Sequence, residues 1–255
     1  MKQIFDMNTI APLFEGWNET IIWSCLQGYH GRAWADDEKK PKSAQIIAGD
    51  FCALAGEPNI ELAAHIPEDF TSEMLLMIPR DEAWAAMIEQ AHGERCERFL
   101  RYAIKKEPDV FDKPKLQAFA DAVPPTYTLH FIDEALYTRA LSESWSKDLC
   151  CQFPTYADYQ AHGLGVVALI NGEIAAGASS YTAYDKGIEI EVDTKEEHRR
   201  KGLATACAAK LILACLERGL YPSWDAHDLR SVALAEKLGY HLDYEYVAYA
   251  VRPRE

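Results

Sequence analysis

The stretch IEIEVDTKEEHRRKGLATACAAKLILACLERGL, residues 188–220, decides how this chain reads. Its first seven residues alternate strictly, with Ile188, Ile190 and Val192 on one face and Glu189, Glu191 and Asp193 on the other. That period of two is the pattern of a half-buried strand. From Leu203 to Glu217 the residues are small or apolar nearly all round, which predicts a helix buried on most sides. Gly219 is placed to end it in a left-handed cap, with Leu220 as the apolar partner. Between strand and helix stand Arg199, Arg200, Lys201 and Gly202. A strand, a loop with a glycine and a helix start together form a ready anion site. The unpaired amides of the first helical turn and the positive end of the helix dipole point the same way. Taken alone, the basic triplet reads more readily as a solvated helix start, and the meander before it and the apolar helix after it are what turn the reading toward an anion site.

Working outward, LGVVALI-NG-EIAAGASSY (164–181) is a hairpin, because Asn171-Gly172 suits the two positive-φ positions of a type I′ turn. A second turn at Tyr184-Asp185-Lys186-Gly187 completes a three-strand antiparallel meander. Upstream, TYTLHFI (126–132) reads as a strand. Residues 133–150 read as a helix capped by Asp133, and 155–163 as a short helix closed by Gly163. Downstream, PSWDA (222–226) reads as a short strand. Asp228 is the N-cap of LRSVALAEKL, which ends at Gly239, and 240–251 alternates as a last strand. The predicted order is β-α-α-β-β-β-α-β-α-β.

The first half is less sharply patterned. AQIIA-GD-FCALAG (44–56) reads as a hairpin, IELAAHI (60–66) and EMLLMIP (73–79) as strands, and DEAWAAMIEQAH (81–92) and KPKLQAFADAV as helices. RCERFLRYAIKKE (95–107) fits either a strand or a helix. Pro124-Pro125 suggests a boundary, giving an α/β domain over 1–123 and a second over 124–255.

The 255 residues carry a net charge of −14, and neither half hides a basic surface: residues 1–125 hold 13 Lys+Arg against 21 Asp+Glu, and 126–255 hold 13 against 19. Nucleic acid and anionic membrane are therefore poor partners. No apolar run approaches a membrane span or a signal sequence. Seven cysteines without C-x-x-C spacing predict neither disulfides nor a zinc site, and the expectation is a cytoplasmic protein without a bound metal. Cys207 and Cys215 fall among the apolar residues of the buried helix and read as core fillers.

With these residues in place, the second half resembles the GCN5-related N-acetyltransferase (GNAT) superfamily. Arg199-Arg200-Lys201-Gly202-Leu203-Ala204 matches that family's Arg/Gln-x-x-Gly-x-Gly/Ala loop, and Lys237-Leu238-Gly239-Tyr240 matches its late K-L-G-(F/Y) signature. GIEIEVDT, RRKGLATA, PSWDA and SVALAEKLGY resemble a bacterial subgroup with an extra N-terminal α/β domain, for which a degenerate copy of the same fold is one candidate. The resemblance implies a GNAT acyl-CoA N-acyltransferase fold, a mixed and mostly antiparallel sheet flanked by helices. It implies an N-acetyltransferase that uses acetyl-CoA as cosubstrate. The pyrophosphate would lie on Arg199, Arg200, Lys201, Gly202, Leu203, Ala204 and Thr205, and the pantetheine along Val192, Asp193 and Thr194. The Val192 N–H would face the acetyl carbonyl, and Asp228 and Ser231 would complete the cofactor site.

Acetyl transfer needs a neutral amine, so a carboxylate beside the thioester is the natural base. Glu189 is the first candidate and Glu191 the second. The family's usual tyrosine acid is replaced by Ala235, leaving Tyr240, Tyr246, His227 or water. The expected reaction is direct attack by a primary amine in a ternary complex, the acceptor being a small cationic amine or an amine-bearing antibiotic. The alternatives are a peptide or protein amine as acceptor, and a non-catalytic acyl-CoA-binding regulator. The first 125 residues have two candidate roles, roofing the acceptor cleft or forming the contact of a homodimer.

Overall fold

A computed structural model describes residues 1–253. In chain order the elements are β1 (Lys2–Ile4), α1 (Thr20–Leu26), β2 (Arg32–Ala35), β3 (Ser43–Ala48), β4 (Phe51–Gly56), α2 (Ile60–Ala64), β5 (Leu75–Pro79), α3 (Glu82–His92) and β6 (Cys96–Ile104). There follow α4 (Lys113–Asp121), β7 (Thr128–Phe131), α5 (Glu134–Ser142), α6 (Tyr156–His162), β8 (Gly165–Ile170), β9 (Glu173–Tyr184), β10 (Gly187–Thr194) and α7 (Leu203–Glu217). The chain closes with β11 (Tyr221–Ser223), β12 (Asp225–Ala226), α8 (Leu229–Leu238) and β13 (Leu242–Val251).

Two compact units divide this order. One holds residues 1–101 together with the chain from Glu245 onward, the other residues 102–244. The division is therefore not at 123/124. Leu116 and Ala120 of α4 are buried in the same core as Leu203, Cys207 and Leu211 of α7, so apolar packing assigns α4 to the second unit.

In the first unit β1-β2-β3-β4-β5 lie in sequence order, all antiparallel except the parallel β4/β5 pair, and Tyr249–Val251 of β13 extends the row beyond β5. One core joins Ile21 and Ile22 of α1 to Ile46 and Ala53, and another joins Leu62 and Trp84 to Leu54 and Met77. The 44–56 hairpin, the strand at 73–79 and the helix at 81–92 are present as read, the last with Asp81 accepting from the Trp84 N–H. Residues 60–66 are not a strand. Asn59 Oδ1 accepts from the Glu61 and Leu62 N–H groups and starts the helical turn of α2. Adjacent Leu62 and Ala63 both point inward while Ile60 is exposed, so the alternation Ile60, Leu62, Ala64, Ile66 does not describe a buried face. Residues 96–104, open between two readings, form strand β6.

In the second unit the strand order is β11-β10-β9-β8-β7, antiparallel except for parallel β10/β11. Asn171 (φ 52°) and Gly172 (φ 83°) make the predicted hairpin turn. Ile188 and Ile190 pack beneath α7, whose residues are buried almost all round, as its sequence requires. A second core cluster gathers Leu136 and Tyr137 of α5 with Tyr159 of α6. Gly219 (φ 70°) ends α7, and the Leu220 N–H donates to Cys215 O at 2.9 Å. Asp228 caps α8 through the N–H groups of Arg230 and Ser231. PSWDA is two strands rather than one. Residues 221–223 pair with β10, the chain turns at Trp224, and Asp225-Ala226 pair with Tyr102-Ala103 of β6. Among the described residues no helix is long and apolar enough to cross a membrane.

Candidate functional site

The loop between β10 and α7 is built to expose its amides. Arg199 is extended, Arg200 is left-handed at φ 61° and Gly202 is left-handed at φ 81°. No side chain among the described residues caps α7, and the Ala206 N–H is the first to bond back, to Gly202 O at 3.0 Å. The donors ahead of it have no helical partner, and they sit at the positive end of a 15-residue helix. A non-glycine residue in the left-handed region costs roughly 1–2 kcal/mol, and such strain gathers at functional sites. At Gly202, apart from the glycine and its immediate chain neighbours, no heavy atom of the described residues lies within 4 Å of where a Cβ would stand. The backbone faces open space there.

The strand below supplies a free edge. Parallel pairing of β10 with β11 lasts for Gly187↔Tyr221, Ile188↔Pro222 and Glu189↔Ser223 only. Gly187 permits the approach, since a Cβ would collide with Tyr221 O. Beyond Glu189 the turn at Trp224 carries the chain away, and the β9/β10 register shifts between Glu189 and Ile190. Residues 190–194 are thus left without a β11 partner. The Val192 N–H donates to the Glu191 side chain at 3.1 Å rather than into a strand ladder.

A cleft of about 480 Å³ joins the two features. Val192, Asp193, Thr194, Arg199, Arg200, Gly202, Leu203, Ala204, Thr205, Asp228 and Ser231, all expected at the cofactor site, line it. Lys201 does not: its Nζ donates to Glu197 O at 3.0 Å and to Tyr127 Oη at 3.2 Å, away from the cleft. His198, Trp224, Arg230 and Leu234 also line the cleft and were not assigned to the cofactor from sequence. Trp224 is core and wall at once. It is buried, and its Nε1 donates to Ser231 Oγ at 3.0 Å.

A family model described as GNAT acetyltransferase matches residues 11–249. The chain belongs to the GNAT acetyltransferase family. It is 46% identical to a GCN5-related N-acetyltransferase-like protein from Streptococcus suis, whose crystal structure superposes with a TM-score of 0.91 over 97% of this chain and 98% of that one. It is 26% identical, over 90% of its length and 89% of the relative's, to an uncharacterized N-acetyltransferase, YdfB, of Bacillus subtilis. A tandem GNAT protein from the clavulanic acid biosynthesis pathway is similar in fold alone, at 13% identity and a TM-score of 0.58 over 98% of this chain and 94% of that one. Both units of this GNAT protein contain an antiparallel meander, a crossover helix and a parallel strand. In the first unit the crossover helix α2 has five residues, its start is already capped by Asn59, and β4/β5 pair through four positions. The exposed amides and free strand edge belong to the second unit.

Three carboxylates line up along the GNAT strand β10. Glu189 is buried at 7% exposure, on the last rung before the strands part, opposite Thr182 and Ser223. Glu191 is half-buried and holds the Val192 N–H. Asp193 lies in the cleft. Burial first, then the nearby Asp148, raise its carboxyl to about 6, while Arg199 pulls the other way. Because the folded-state value lies above the unfolded one, the folded protein binds the extra proton. Stability therefore falls as pH rises from about 4 to about 6. Asp193→Asn is expected to raise the unfolding free energy at pH 8 by on the order of 1 kcal/mol after allowance for solvent screening, and the urea midpoint with it. The gain should fade toward pH 4, which urea melts at the two pH values would check.

The GNAT tyrosine position holds Ala235, fully buried. Tyr240 does not replace it, because its hydroxyl donates to Pro222 O at 2.6 Å and the ring is 1% exposed. Tyr246 belongs to the first unit, and His227 is exposed at the turn before α8. Both Asp228 oxygens are engaged, one by the Arg230 and Ser231 N–H groups and the other by the Arg230 guanidinium. Burial pushes that carboxyl up, but Arg230 and the Ser231 N–H outweigh it and hold it below the usual range. Cys207 and Cys215 are fully buried, and burial pushes each thiol up to about 12.

Proposed function

We propose that this GNAT protein transfers the acetyl group of acetyl-CoA to a primary amine by direct attack in a ternary complex. The observation that carries the reading is the cleft that continues from the uncapped, left-handed loop at Arg200–Gly202 to the unpaired edge of β10. The residues present fit the cosubstrate: exposed amides and two arginines for a diphosphate, then free strand backbone for an amide-containing arm. Acetyl-CoA supplies an activated acyl thioester, and the remaining work falls to the chain.

Residues 199–205 hold the diphosphate, with Lys201 acting from outside the cleft. Val192, Asp193 and Thr194 orient the pantetheine, and Glu191 yields the Val192 N–H when a carbonyl arrives there. Glu189 takes the proton of the incoming ammonium, and Glu191 is the second candidate. The buried cysteines favour direct attack, since a thiol raised to about 12 is a poor nucleophile at neutral pH. Water meets the proton demand of the leaving thiolate. The net charge of −14 favours a small cationic acceptor, a metabolite amine or an amine-bearing antibiotic, over a protein amine. The first unit is proposed to be a degenerate copy of the same fold, and the protein to work in the cytoplasm.

The buried Ala235 favours one other reading, an acyl-CoA-binding regulator without catalysis. The test is release of free thiol from acetyl-CoA in the presence of polyamines, amine-bearing antibiotics and a peptide with a free N-terminus. Amine-dependent thiol release is expected. Calorimetric binding of acetyl-CoA with no release for any amine would overturn the transferase reading in favour of the regulator.

A further inference from the structure

The transferase reading leaves one cluster at the cleft wall unused. Lys201 Nζ donates to Tyr127 Oη at 3.2 Å and approaches His198 Nδ1 at 3.4 Å. Tyr127, 5% exposed, meets the same Nδ1 at 3.0 Å, and the two rings stand edge to face with centroids 5.7 Å apart. The proton positions follow from the chemistry of the groups. A lysine ammonium can only donate, so Tyr127 Oη accepts from Lys201 and turns its own O–H toward His198 Nδ1. Both neighbours of Nδ1 are then donors. Nδ1 must carry a lone pair, and the ring proton must sit on Nε2.

Nε2 is 3.6 Å from Glu197 Oε1, beyond a hydrogen bond, and that carboxylate is mostly in solvent. The imidazole itself is only 16% exposed and lines the cleft beside Arg200 and Gly202. A buried tyrosine recruited from far along the chain, and a lysine turned away from the anion loop, thus converge on one ring nitrogen.

We propose that His198 is a further anion-binding residue. Its imidazole, held by Tyr127 and Lys201 as an Nε2–H donor, donates to an oxygen of the acyl-CoA diphosphate. Tyr127 and Lys201 are positioning residues that act through the ring. The inference rests on acyl-CoA occupying the cleft.

The test combines binding with a reading of the ring. Acetyl-CoA, its 3′-dephospho form and 4′-phosphopantetheine, which lacks the diphosphate, are titrated by calorimetry into wild type, His198→Asn and His198→Gln. Gln places an N–H close to the position of Nε2, whereas Asn mimics only Nδ1. Loss of a hydrogen bond to a charged oxygen predicts about tenfold weaker binding of the first two ligands by His198→Asn. His198→Gln should stay near wild type, and 4′-phosphopantetheine should not distinguish the proteins. In wild type, ¹⁵N spectra of the imidazole should show the proton on Nε2, and removing both donors in Tyr127→Phe/Lys201→Met should shift it toward Nδ1 while weakening acetyl-CoA several-fold. If wild type binds acetyl-CoA but the two His198 variants behave alike, or if the wild-type ring is protonated on Nδ1, the His198 inference is overturned alone. If wild type does not bind acetyl-CoA, the acyl-CoA reading and this inference are overturned together.

Discussion

Gly202→Glu is expected to abolish acetyl-CoA binding while leaving the protein folded. Micromolar affinity corresponds to about −8 kcal/mol, and the substitution removes much of it by two routes. A side chain at φ +81° is strained, which costs roughly 1–2 kcal/mol in the bound geometry. A carboxylate at the mouth of the loop then faces the diphosphate, and like charges about 4 Å apart near a surface repel by about 4 kcal/mol. Together these weaken binding by about a thousandfold or more. The fold should survive, because the site of the new side chain is open and a negative charge complements the start of α7. Gly219→Glu is the matched control. Gly219 is also left-handed (φ 70°), no described heavy atom beyond its immediate chain neighbours lies within 4 Å of its Cβ position, and it sits at the far end of α7. Calorimetry should find wild-type affinity for Gly219→Glu and no binding for Gly202→Glu. Wild-type affinity in both would show that the loop is not the anion site.

Glu189→Gln is expected to lower kcat by about a hundredfold to a thousandfold, the range of a lost general base, with acetyl-CoA affinity unchanged. The swap keeps the volume of a buried side chain, and the residue stands outside the cleft lining. Its signature is pH dependence. Without the carboxylate the amine must deprotonate by itself, and an alkylamine with a pKa of about 10.4 gains about tenfold in neutral form per pH unit below that value. The variant's rate should therefore climb with pH where the wild-type rate changes less. Glu191→Gln should lose less than tenfold, since the amide oxygen can still accept from the Val192 N–H. A wild-type kcat for Glu189→Gln, measured by thiol release, would move the base to another group.

What was legible from residues alone shares one property: it is encoded within a few positions. Asn171-Gly172 is the pair that most readily takes positive φ at both turn positions, Asp228 meets amides only two and three residues on, and the alternation from Ile188 to Asp193 is intrinsic to a strand. The loop at Arg199–Ala204 is local in the same way, because Gly202 carries no Cβ and so takes the left-handed φ that leads the chain into α7 without strain. The strand reading of 60–66 failed at the same range, where Asn59 capping and the inward packing of Leu62 and Ala63 outweighed an accidental alternation.

Tertiary structure decided the rest, because the partners are distant in sequence. The turn at Trp224 releases β11 from β10 since Asp225-Ala226 find Tyr102-Ala103, more than a hundred positions earlier, and that release creates the free edge of the cleft. Helix α4 joins the second unit through Leu116 and Ala120 against α7, across the Pro124-Pro125 step that suggested a boundary. Lys201, which carries the same charge as its arginine neighbours, is drawn away from the cleft toward Tyr127, while His198, in contact with the same tyrosine, lines it. Backbone conformation follows from short-range sterics and capping, so sequence determined the loop and the helix behind it. Side-chain direction and strand partnership depend on which distant groups compete for each hydrogen bond, and only the folded chain settles that competition.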